Sequence, residues 1–150
     1  MATPAVGRVL GAGGATAGSC LILGRDRAVT CAHVVQKAGA GKGGEVRIDW
    51  NGQVVAAIVE QWTEPEAEDV AGLRLATPLE GAPHAALAAS QLSHQKRVAT
   101  FGFPSANPVG GLRGEGEVLG PVTVAGQQVL QVRSQEIGRA SCRERVSIDV

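Results

Sequence analysis

Short apolar runs closed by turn formers follow one another along most of this chain, and no stretch sustains a 3.6-residue period. Runs at Val6–Leu10, Gly18–Leu23, Ala28–Thr30, Glu45–Trp50, Gln53–Trp62 and Val70–Leu75 read as strands. A second group follows at Arg97–Gly102, Gly114–Leu119 and Gln128–Arg133. Asn51-Gly52, between the fourth and fifth runs, is the pair that best tolerates the positive φ angles of a type I′ turn, so these runs are expected to form a hairpin. Valine outnumbers leucine, and 21 Gly and 7 Pro supply the turns. Short strands at this spacing predict an all-β fold, a barrel or a sandwich.

The alanine-rich stretch from Pro78 to Ser93, with Pro83 and Gly81 inside it, reads as a connector with one helical turn over Ala85 to Ala89. It divides the chain into a complete first sheet unit (1–77), a connector (78–95), the start of a second unit (96–135) and a tail (136–150). Three strands are few for an independently stable second barrel.

The 14 basic residues are balanced by 14 acidic ones, which removes the electrostatic footprint of a nucleic-acid or anionic-membrane binder. With 44% hydrophobic and 19% charged residues, the bulk of the chain is expected to fold. No apolar run approaches the roughly 18 residues of a membrane span. The N-terminus lacks the basic start and apolar run of a secretory signal, so a cytoplasmic location is expected. Cys20, Cys31 and Cys142 are too few, and odd in number, for a disulfide framework. Cys20 and Cys31 could face each other across a hairpin, with buried free thiols the favoured reading. No two cysteines have zinc-ligand spacing.

Two segments carry chemistry. In Val29-Thr-Cys-Ala-His33-Val-Val35 a strand delivers a histidine directly after small residues, which let other groups approach the imidazole. Later in the chain Glu68-Asp69-Val70-Ala71-Gly72-Leu73-Arg74-Leu75 places an aspartate at the mouth of an alternating apolar strand. A carboxylate there can reach a histidine on a neighbouring loop, accept its ring proton, fix the tautomer and stabilise the imidazolium, while the other ring nitrogen takes a proton from a serine hydroxyl. Thr30 is placed to hydrogen-bond near Asp69. His84 and His94 lie in or beside the connector without a partner motif and read as surface residues.

These segments resemble the trypsin-like, chymotrypsin-fold serine peptidases of bacterial type. Gly18-Ser19 before Leu21-Ile22-Leu23 is similar to the strand that precedes their histidine. Val29 to Val35 resembles their histidine motif, and Glu68 to Leu75 their aspartate strand. Phe101-Gly-Phe-Pro104 and Gly114 to Gly120 resemble early strands of their second barrel. The resemblance implies a double β-barrel, the first complete and the second truncated. It also implies His33 as general base and acid, Asp69 as its orienting carboxylate, a peptide or protein substrate, and no cofactor. It places Cys31 inside, two positions before the base, and leaves room for further domains in the full-length protein.

The family's nucleophile sits in a Gly-x-Ser-Gly turn whose backbone N–H groups form the oxyanion hole. No such turn occurs in this chain. Ser141 lies among Arg139, Ala140, Cys142 and Arg143, without the glycine that tight turn needs, and is not expected to serve. Residues 136–146 resemble one translated frame of a common sequencing adapter, so the tail is expected to be non-native. The chain as written is expected to be an inactive fragment of a serine endopeptidase. Two alternatives stay open: a non-catalytic binding or regulatory module on the same fold, and a cysteine-nucleophile relative, for which Cys142 lacks the Gly-x-Cys-Gly turn.

Overall fold

The computed structural model describes residues 5–83, 85 and 96–134. His84, His94, Ser141, Cys142, the tail 136–150 and all but Ala85 of the expected helical turn lie outside the described residues.

Six antiparallel strands form a closed barrel: β1 (Val6–Leu10), β2 (Thr16–Ile22), β3 (Arg27–Thr30), β4 (Glu45–Trp50), β5 (Gln53–Thr63) and β6 (Val70–Leu75), in the order β1-β2-β3-β6-β5-β4, with β1 pairing back onto β4. Closure satisfies both edges of every strand, which removes the edges along which open sheets aggregate. The alternation legible in the sequence sends Val9, Ile22, Ile48, Val59 and Leu73 inward, each at most 2% exposed. The Asn51-Gly52 hairpin forms as its turn chemistry predicts. Both residues have positive φ (50° and 82°), Trp50 pairs with Gln53, and Asp49 Oδ1 accepts the Gly52 N–H at 3.0 Å.

A six-residue helix, α1 (Ala32–Lys37), follows β3 directly and was not expected from the sequence. At under two turns it is too short to show a period, and it is held by packing: Ala32, Val34 and Val35 are buried. The segment 102–111 belongs to the barrel unit. Its Phe103 N–H donates to Ser19 Oγ (2.8 Å), and Thr16 Oγ1 donates to the Pro108 carbonyl (2.7 Å).

The second unit holds a three-stranded sheet in the order β7-β8-β9: β7 (Arg97–Gly102), β8 (Leu112–Val124) and β9 (Gln127–Ser134). β8 runs past the expected end at Leu119. Pro121 reads as a breaker, but it follows a register shift between Val118 and Gly120, and bulges are where strands admit proline. Ala125 and Gly126, both at positive φ, close the β8–β9 hairpin. The fold is thus all-β, a closed barrel and a second partial sheet. Among the described residues no helix is long and apolar enough to cross a membrane.

Candidate active site

The barrel's register brings the two sequence-predicted site residues together. β3 pairs with β6 so that Thr30 lies opposite Ala71. The chain leaving β3 and the chain entering β6 are therefore neighbours, although His33 and Asp69 are 36 positions apart. Cys31, in extended conformation, is the N-cap of α1 and makes no side-chain cap bond. Asp69 supplies one instead: its Oδ1 accepts the backbone N–H of His33 at 2.8 Å, satisfying a donor that a helix's first turn leaves without an intrahelical partner. Its Oδ2 lies 2.5 Å from His33 Nδ1. Asp69 has φ 56°, the left-handed region that few side chains other than Asp and Asn visit.

One carboxylate thus holds both the backbone and the ring of the histidine. The Asp69 side chain is 26% exposed and that of His33 55%, so the carboxylate is sheltered while the ring stays open to an incoming group. With Nδ1 turned to Asp69, the ring nitrogen left to exchange a proton is Nε2. The arrangement suits proton transfer by an oriented imidazole.

Close packing sets the position of α1. Gly18 on β2 has no side chain where Val34 sits, and a Cβ built there would lie 2.7 Å from both Val34 methyls. Thr30 does not serve Asp69 as expected. Its hydroxyl donates to the Ser19 carbonyl at 2.7 Å, because the hydroxyl of a residue only 8% exposed takes the acceptor that its neighbouring strand offers.

Neither described cysteine is in a disulfide. Cys20 is 3% exposed, and burial pushes its thiol up to about 12 against the opposing effect of a Gly7 backbone hydrogen bond, which makes it inert. Cys31 is half-buried and packs on the core, as expected. Its proximity to the pair was not expected: Cys31 Sγ, a His33 ring nitrogen and an Asp69 carboxylate oxygen lie within 4.8 Å of one another. The only sequence signal for this was the two-residue spacing between Cys31 and His33.

A family model described as a trypsin-like peptidase domain matches residues 18–145. No curated protein matches significantly. Among solved structures, the fold is similar to that of an HtrA-type protease, AlgW with a decapeptide, at TM-score 0.64 and 18% identity over 89% of this chain and 49% of that one. The Rv3671c protease of M. tuberculosis in its active form aligns at TM-score 0.59 and 19% identity, covering 88% and 57%. The MamO protease domain of Magnetospirillum magneticum aligns at 0.54 and 21%, covering 88% and 71%. The chain spans about half the length of the first of these structures. At such identities these likenesses concern the fold.

Proposed function

This chain belongs to the trypsin-like peptidase domain family, and from that premise we propose that it carries the base half of a serine endopeptidase site, with His33 as general base and acid and Asp69 as the carboxylate that orients it. The observation that carries the reading is the double hold of Asp69 on His33, through the backbone N–H and through Nδ1. In this reading Nδ1–H donates to Asp69 Oδ2 and leaves the Nε2 lone pair to take the proton of a serine hydroxyl as its oxygen attacks a peptide carbonyl. The imidazolium, stabilised by Asp69, then returns that proton to the leaving amine, and the resulting acyl-enzyme is hydrolysed by water activated at the same nitrogen.

The serine and the oxyanion donors belong, in this proposal, to residues beyond 135, with 1–77 as the base-bearing barrel, 78–95 as the connector and 96–135 as the start of the second barrel. The substrate class is a peptide or protein chain. The test is hydrolysis of a peptide library by the full-length protein translated from its genomic reading frame. Cleavage that is lost on His33→Ala, with no cleavage by the 150-residue chain, is the expected result. A full-length protein that binds peptides without cutting them would favour the non-catalytic module and overturn the proposal.

A further inference from the structure

Three different donor atoms converge where the peptidase reading uses two. Cys31 Sγ, a His33 ring nitrogen and an Asp69 oxygen lie within 4.8 Å of one another. Of the Asp69 oxygens, Oδ1 holds the His33 backbone N–H and Oδ2 lies against Nδ1, so Oδ2 is the oxygen that a metal bound at Nδ1 would share. Sulfur, imidazole and carboxylate together suit a borderline-soft divalent ion and do not suit magnesium or calcium, which take oxygen ligands. Tetrahedral zinc needs neighbouring donors about 3.3–3.6 Å apart, from metal–ligand bonds of roughly 2.0–2.3 Å. To reach that spacing Cys31 Sγ must move in from within 4.8 Å, and the Nδ1–Oδ2 pair, 2.5 Å apart, must open by about 1 Å as the metal enters.

The geometry points to a zinc-type inhibitory site formed by Cys31, His33 and Asp69, in which the metal takes the place of the proton between Nδ1 and Oδ2. The proton balance explains the inhibition. Cys31 releases its thiol proton on binding, and the Nδ1 proton moves to Nε2. Nε2 then has no lone pair to accept a serine proton, so a metal-loaded site has no base. The binding rests on the three side chains alone, whereas its effect on proteolysis rests on the function proposed above.

The test titrates cobalt(II), a coloured stand-in for zinc, into the 150-residue chain and into Cys31→Ser, Asp69→Asn and Cys142→Ser variants. The wild type is expected to develop a near-ultraviolet thiolate-to-cobalt band that zinc bleaches. Cys31→Ser should lose the band, Cys142→Ser should keep it, and Asp69→Asn should weaken zinc at least about tenfold. No band in the wild type, a band surviving Cys31→Ser, or a band lost with Cys142→Ser overturns the inference. In the full-length protein zinc should abolish peptide cleavage, and Cys31→Ser should resist it. Cleavage indifferent to zinc sinks the metal site and leaves the peptidase reading intact. A cobalt band in a protein that cleaves nothing sinks the peptidase reading and leaves the metal site.

Discussion

Replacing Gly18 by alanine isolates the contact that holds the histidine-bearing helix on the barrel. On a strand, alanine is intrinsically better than glycine by about 0.5–1 kcal/mol, so a site with space would be stabilised. Gly18 does not have that space. Its new Cβ would sit 2.7 Å from both γ-methyls of Val34, a β-branched side chain with little rotamer freedom. Restoring carbon–carbon contact to about 3.5–4.0 Å requires α1 to move by about 1 Å. Overpacking of this kind costs about 2 kcal/mol, so the clash outweighs the propensity gain and the net loss is about 1 kcal/mol. Val34→Ala alone removes two buried carbons and costs about 2 kcal/mol. If the two changes were independent, the double variant would lose about 3 kcal/mol. Because the second relieves the clash of the first, the double variant should lose only about 1, a coupling of about 2 against an additivity scatter of roughly 0.5 kcal/mol. Urea unfolding followed by circular dichroism reads this directly, with the Gly18→Ala midpoint expected about 0.5 M lower. A midpoint that rises in Gly18→Ala, or a double variant that is simply additive, refutes the packing argument.

Other perturbations separate strong contacts from weak ones. Arg8 and Asp49, paired on β1 and β4 with side chains 17% and 14% exposed, form an ion pair that Thr16 and the Gly52 N–H extend. Arg8→Ala strands the carboxylate and should cost about 3 kcal/mol, whereas Glu60→Gln, which breaks the exposed contacts to Arg27 and Arg74, should cost under about 1 kcal/mol in the same urea assay. Cys20, with its thiol raised from 9.0 to about 12, keeps its proton in the folded state after the unfolded chain has lost its own. Stability should therefore fall as pH rises above 9, by about 1 kcal/mol per pH unit, and Cys20→Ala should flatten that slope in unfolding curves taken across this range. In the full-length protein Asp69→Asn keeps the packing but holds the wrong histidine tautomer, and kcat should drop by about 10⁴ in a steady-state assay.

What could be read from the sequence was whatever short-range chemistry decides. Asn51-Gly52 specifies its turn within two residues, and the strands around it follow from alternation alone. His33 and Asp69 were legible because each sits in a local motif, while their meeting depends on the β3–β6 register, which only the closed barrel supplies. Ala125-Gly126 closes an equally tight hairpin without the Asn or Asp that would announce it, and Pro121 hid the strand leading to it. The Gly18 requirement was invisible because it is a statement about Val34, sixteen positions away and on another element. Thr30 went to Ser19 because a buried hydroxyl bonds to the strand it faces, and the sequence does not say which strand that is.

The central claim is that His33, held by Asp69, activates a serine that lies outside the described residues. Labelling the full-length protein with a fluorophosphonate probe and mapping the modified peptide tests it most directly. The account predicts one labelled serine, in a Gly-x-Ser-Gly turn beyond residue 135, with labelling lost in His33→Ala. Absence of labelling, labelling at Ser141, or labelling that survives His33→Ala would contradict it.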